Sequence, residues 1–454
     1  MCVLYFSRKI LLVLFCMTFG AASASAQQGN LPIVRDAEIE HILARYANPL
    51  FQAAGLQSGA VKTYLVQDDT LNAFVAGGQR IFVFTGLILA TRHPGELVGV
   101  LAHETGHIRG GHLSRTRDAI ASAQTISILA ALLGGVAAVA SGDGRAAGAG
   151  ILGGGGAGQQ FFLNYSRTQE SAADQAAIKL MEKAGWSPRG MVDFLGVLDG
   201  QELILGQRGN PYLRSHPLGY ERIQALEHLV QQSELRDQPA PAGLERAHRM
   251  MQAKLFGFTR SPAATMRRYP ASDKSDPARY ARSVALMKEA RTDEAIAELQ
   301  PLIDQEPLNP YLHELKGQIL LEGGRVEESL PPLREATILS RHETIAVLLA
   351  AALIATETRE GNDEALEILQ RVLRTDRDIP SAWQQLAVVH GRRGDLGLST
   401  LASAEQYLRS GQPKFAREQV DRALRALKPG SPEYFRAQDL ELAVENLERQ
   451  LGQN

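Results

Sequence analysis

At 454 residues the chain is too long for one ordinary core, and two or three domains are expected. A formal net charge of -2, with no long run of one sign, gives no nucleic-acid footprint. Only 6% of residues are aromatic while Ala, Leu and Gly abound, which favours helices packed through small side chains.

In chain order, residues 1–26 read as a cleavable secretory signal. Arg8 and Lys9 precede an apolar run from Ile10 to Phe19, and small residues follow, ending at Ala26. The run is about ten residues, short of the roughly twenty that span a bilayer. Phe15 stands before Cys16, where lipid attachment wants a small residue. Both cysteines, Cys2 and Cys16, fall in this segment, so a chain starting at Gln27 has no disulfide and no thiol nucleophile. Loss of Arg8 and Lys9 also takes the net charge from -2 to -4. Export without cysteine suits the periplasm of a Gram-negative bacterium.

Residues 32–60 have an amphipathic helical pattern. From Val61 the stretch VKTYLV alternates, and GGQRIFVFTG sets an apolar run between glycines, so both read as strands. Pro94 opens a helix over PGELVGVLAHETGH, with apolar residues recurring at three and four. Residues 125–160, rich in Ala and Gly, read as a helical hairpin with a glycine tip. A lid over a neighbouring site and a membrane contact are the other readings, and the role of 134–158 is left open. A helical pattern resumes from Ser166, and the Pro/Ala stretch 236–246 marks a domain boundary. Beyond it lies a repeat of about 34 residues. Leu299 and Leu302 recur as Leu333 and Ala336, and Ala295, Leu299 and Leu302 recur as Ala416, Val420 and Ala423; Gly317 and Trp383 sit on first helices of repeat units. Residues 341–378 hold the pattern poorly.

The chemistry concentrates in LAHETGHIRGGHL. His103 and His107 are four apart, on one face of a helix and about one turn from each other. Two imidazoles at that spacing can share one zinc ion, and Glu104 lies near enough to act as general base on a water. The helix is apolar on most sides, so Glu104 is buried and needs a partner. A third ligand is required. His112 is rejected, because on a continuous helix it points about 180° from His103. A helix broken at Gly110 would need the third histidine at 113, which is Leu113. Glu170 is the better candidate, with Asp174 one turn on to accept the other ring N–H of a zinc histidine. The alanines around them, Ala172, Ala173, Ala176 and Ala177, argue for tight packing there.

HETGHIRGGHLSR, YSRTQESAADQAAIKLMEKAG and SHPLGYERI together resemble the M48 peptidases, and the tail resembles tetratricopeptide repeats. A signal ahead and repeats behind resemble the periplasmic branch of that family, which serves outer-membrane protein assembly. The resemblance implies one zinc per chain, held by His103, His107 and Glu170. It also implies a regulatory zinc contact from His216, an oxyanion role for Arg222 and a substrate contact from Asn72. The segment 71–88 resembles the strand beside the family's cleft, where an extended substrate can pair.

The expected fold class is mainly α. An α+β, zincin-like catalytic domain with a small β-sheet precedes an α-helical repeat solenoid. The expected domains are signal peptide 1–26, protease 27–240, linker or helical connection 241–277 and repeats 278–452. The expected function is zinc endopeptidase in quality control of outer-membrane proteins, acting on unfolded or misassembled proteins and docking the assembly machinery through the repeats. No nucleic acid and at most peripheral membrane contact are expected. An assembly chaperone acting mainly through its repeats is the alternative. An integral-membrane prenyl-protein protease is disfavoured by the lack of a clean twenty-residue apolar span.

Overall fold

The computed structural model describes residues 31–57, 59–77, 79–113, 115, 166–205, 212, 216 and 220–452. The expected signal peptide and the Gly-rich segment 134–158 lie outside these residues. The chain forms two compact units, one made of Pro32–Val34 with Glu38–Met251 and the other including Gln252–Asn454. Among the described residues no helix is long and apolar enough to cross a membrane.

The first unit holds a four-stranded sheet beside helices. Strands β1 (Ile33–Val34), β2 (Lys62–Val66), β3 (Ala73–Ala76) and β4 (Arg80–Phe84) lie in the order β1-β2-β4-β3. The sequence reading found β2 and β4 and missed the two edge strands, which at two and four residues are too short to show an alternation. The central pair, β2 and β4, is parallel, and β3 closes an antiparallel hairpin onto β4. One face of β4 sends Ile81 and Val83 into the core. The other carries an aromatic row, with Phe82 stacked 5.4 Å from Tyr64 and 5.1 Å from Phe74 across the two neighbouring strands. Helix α1 (Ala37–Ala53) buries Ile39, Leu43, Tyr46 and Leu50.

After the short α2 (Thr85–Ala90) comes the central helix α3 (Pro94–Gly110). Pro94 starts it, and Glu96 accepts the Arg92 backbone N–H at 2.5 Å, occupying a donor next to the helix start. Residues 94–106 of α3 are all buried, so it is a core helix rather than a surface one. Helix α4 spans 166–183, followed by α5 (Arg189–Leu205), α6 (Tyr220–Gln232) and α7 (Leu244–Thr259). The two units divide at Met251 and Gln252, within α7. Its first half belongs to the first unit, where His248 is fully buried.

The second unit is a run of antiparallel helices: α8 (Pro262–Arg268), α9 (Asp276–Lys288), α10 (Thr292–Gln305), α11 (Pro310–Glu322), α12 (Val326–Leu339), α13 (Glu343–Ala355), α14 (Arg359–Thr375), α15 (Pro380–Arg392), α16 (Leu396–Arg409), α17 (Pro413–Ala426) and α18 (Pro432–Gly452). The small residue on a first helix and the large one on its partner meet as the repeat pattern requires. A Cβ added to Gly317 would lie 2.4 Å from Leu333 Cγ. The poorly patterned stretch 341–378 is the pair α13 and α14, in the middle of a large apolar cluster. Its second helix has 17 residues where α10 and α12 have 14, and this extra length breaks the sequence register.

Candidate metal centre

Close backbone packing builds the site. A Cβ on Gly106 would sit 2.8 Å from the Ala173 carbonyl oxygen, so α3 and α4 touch main chain to main chain. On the other side of α3, Gly99 lies as close to Met191 of α5, and Gly190 to the Gly95 carbonyl. Ala173 and Ala177 are fully buried in α4, while Ala172 is exposed, so the packed face is one side of the alanine-rich stretch. This approach brings His103 and His107, one turn apart on α3, against Glu170 and Asp174, one turn apart on α4.

Four donors converge. His103 Nε2 is 3.0 Å from His107 Nε2, 3.4 Å from Glu170 Oε2 and 3.2 Å from His216 Nδ1. Glu170 is 3.3 Å from His107 Nε2 through one oxygen and 3.1 Å from His216 Nδ1 through the other. Each of the four residues offers one ligand atom, all within 4.8 Å of one another. Ligands about 2.0–2.1 Å from a tetrahedral ion stand roughly 3.3–3.4 Å apart, so this spacing fits a small cation.

Partners behind the donors fix their orientation. His103 Nδ1 lies 2.9 Å from Asp174 Oδ1. Arg222 donates to both oxygens of Asp174, at 2.5 and 2.8 Å, and its third nitrogen is 3.0 Å from Glu170. The guanidinium expected at the oxyanion therefore holds the two carboxylates of α4 in this arrangement. Glu104 is 1% exposed, and its Oε1 has no hydrogen-bond partner among the described residues, His216 Nε2 standing 3.5 Å away. Asn72 Oδ1, just ahead of β3, is also buried without one, an acceptor available to a ligand.

Charge supports the same conclusion. Three buried carboxylates, Glu104, Glu170 and Asp174, gather here against one guanidinium, the partly buried Arg222, a donor set suited to a cation. Burial pushes Glu104 up to about 7, against the opposing pull of His107 and His103. Burial would raise Glu170 as well, but hydrogen bonding to His103, His107 and His216 holds it far below the usual carboxylate range. Burial works to lower His103, yet Asp174 and Glu170 outweigh it and carry the ring up to about 9. Desolvation lowers His107 and His216.

Sequence reasoning misplaced one residue and missed another. His112 does not point away from the histidine pair. The helix ends at Gly110, Gly111 adopts the left-handed conformation (φ 62°), and the helical path is broken there. His112 Nδ1 comes to rest 2.9 Å from His107 Nδ1, outside the four donors but touching one of them. The extrapolation along a continuous helix failed at the glycine pair. Tyr212 was not singled out. Its ring lies 4.6 Å from that of His216, and its carbonyl accepts the His216 N–H at 2.8 Å. The one-turn spacing of Tyr212 and His216 in NPYLRSHP was the available signal.

Residues 34–230 match the sequence model of Peptidase family M48, and residues 280–342 match that of the tetratricopeptide repeat. The chain is 26% identical over 420 residues to the beta-barrel assembly-enhancing protease of Escherichia coli, covering 89% of this chain and 82% of that one. To the protein of the same name from Yersinia pestis it is 24% identical, covering 92% and 86%. The mitochondrial metalloendopeptidase OMA1 of Schizosaccharomyces pombe is 26% identical over 202 residues, 43% of this chain and 54% of that one. A buried His/Glu cluster suited to a metal ion thus lies inside a segment matched by a peptidase family. The chain is a metallopeptidase, with an M48 domain followed by tetratricopeptide repeats.

Proposed function

We propose that the chain is a zinc endopeptidase of the periplasm, exported by residues 1–26, that removes unfolded or misassembled outer-membrane proteins. The convergence of His103, His107 and Glu170 beside the buried Glu104, whose Oε1 has no hydrogen bond among the described residues, carries the catalytic part of the reading. Two imidazoles and one carboxylate suit zinc better than calcium or magnesium. The name of the Escherichia coli relative supports the link to β-barrel assembly. In this reading the protease domain covers 27–240 and the repeats, 278–452, dock the assembly machinery.

His103, His107 and Glu170 hold the ion, and Asp174 and Arg222 orient them. When bound, the ion supplies Lewis acidity at the scissile carbonyl and the attacking water. Glu104 takes the water's proton and returns it to the leaving amine. A carboxyl lifted toward 7 by burial suits both directions of transfer. The outer edge of β3 offers backbone groups to an extended substrate, and Asn72 stands at its start. His216 occupies the fourth donor position, where substrate would enter, and Tyr212 stacks against it. A protease closed by its own histidine has low basal activity until that segment moves.

Purified Glu104→Gln is expected to keep its metal and lose at least about 10²-fold in degradation of an unfolded protein. Glu170→Ala is expected to lose the metal, and His216→Ala to raise basal degradation. Undiminished cleavage by Glu104→Gln would overturn the mechanism. Rescue of assembly in cells by the cleavage-dead variant would favour the chaperone reading through the repeats.

A further inference from the structure

The turn after α3 places His112 in a built position. Gly111 reverses the chain, and Gly110 leaves room for the returning ring, since a Cβ there would meet His112 Nε2 at 2.3 Å and Cδ2 at 2.6 Å. The two rings stand edge to face, 4.9 Å apart, and His112 is buried. Two imidazole nitrogens 2.9 Å apart require one proton between them, one nitrogen donating and the other accepting. His107 turns Nε2 toward the donor cluster, so a metal needs the lone pair there and the proton at Nδ1. His112 Nδ1 is then the acceptor, with its own proton on Nε2.

We infer that His112 is a positioning residue that fixes the tautomer and ring orientation of His107 for metal binding. The inference rests on the metal-site reading above. It makes the two histidine ligands unequal. His103 leans on a carboxylate, Asp174, itself tied to Arg222, whereas His107 leans on a neutral ring. A carboxylate behind a ligand raises its basicity more than a neutral acceptor does. His107 is therefore the more weakly donating ligand and depends on geometry for its hold. The pair Gly110-Gly111, which the sequence alone offers as a possible helix break, serves to return His112 to this contact.

The test uses the full chain and two substitutions of similar size. His112→Asn keeps an acceptor oxygen where Nδ1 stood, and His112→Leu fills the space without one. Zinc dissociation constants from chelator competition, and visible spectra of the cobalt-loaded proteins, are read for each. His112→Leu is expected to weaken zinc by about 10- to 100-fold and to alter the cobalt bands, while His112→Asn stays close to wild type. Gly110→Ala, which favours the helix but displaces the His112 ring, is expected to weaken zinc as well. Unfolding of each metal-free variant separates a folding defect from a ligand defect. Wild-type affinity in His112→Leu, or equal losses in Asn and Leu, would overturn the inference while leaving the metal site standing. Failure of wild type to bind zinc, or unchanged binding in Glu170→Ala, would overturn the metal-site reading and this inference with it.

Discussion

His248 and His103 are both fully buried, yet their surroundings drive them in opposite directions. His248 meets hydroxyls, Tyr46 at 3.4 Å and Thr91 at 3.0 Å, so desolvation prevails and takes it down to about 4. His103 meets carboxylates and is carried up to about 9. His248 is thus a core histidine held neutral, and the facing groups tell the two apart. With a folded value below the ordinary 6.5, the unfolded chain binds more protons between the two values. The stability due to neutral His248 is present above pH about 6.5 and is lost as pH falls toward 4, by up to about 3 kcal/mol. His248→Gln is expected to be less stable at pH 7 and to lose less on acidification. Urea unfolding midpoints from pH 7 to 4 measure the difference, and parallel curves for the two proteins would contradict it. At this scale His103, Glu104, His107, Glu170 and Asp174 were legible because helical spacing assigns faces. His112 was not, because its position depends on the backbone angle of Gly111.

Among elements, the contact between α3 and α4 decides whether the site exists. Its small residues are visible in the sequence, but their purpose is not, since a glycine shows what it permits only against a partner. Gly106→Ala tests this directly. By intrinsic propensity Ala should favour a helix by about 1 kcal/mol over Gly. Here the added methyl would press on the Ala173 carbonyl at 2.8 Å, and overpacking costs about 1–3 kcal/mol. The expected outcome is a net loss of thermal stability together with weaker metal binding, read by calorimetry with and without chelator. A stabilised Gly106→Ala would show that the helices separate easily. The turn between α9 and α10 offers the converse case. Ala290 is held at φ 56°, where Gly324 and Gly394 serve the corresponding turns at 76° and 82°. Ala290→Gly is expected to raise stability by up to about 1 kcal/mol, read from urea unfolding.

For the whole molecule, the repeat unit was legible from its period, and the catalytic unit from one motif and its distant partner. The division within α7 was not legible, because a continuous helix leaves no mark in composition where one packing environment succeeds another. The donor cluster gives a prediction at this scale. A ligand that binds only the folded state stabilises it by about 2.7 kcal/mol at one hundred times its dissociation constant. Added zinc is expected to raise the unfolding temperature of the catalytic unit and leave that of the repeats unchanged. Glu170→Ala should abolish the shift. A uniform rise in both transitions would point to non-specific binding.

The main-chain contact between Gly106 and Ala173 has one more consequence. The candidate ligands on α3 and α4 are held to each other where the two backbones pack. Helix α4 carries its own anchors, Ala173, Ala177, Leu180 and Met181, all fully buried. The two pairs of side chains therefore share one fate: whatever parts the helices at this contact disperses the donors of both.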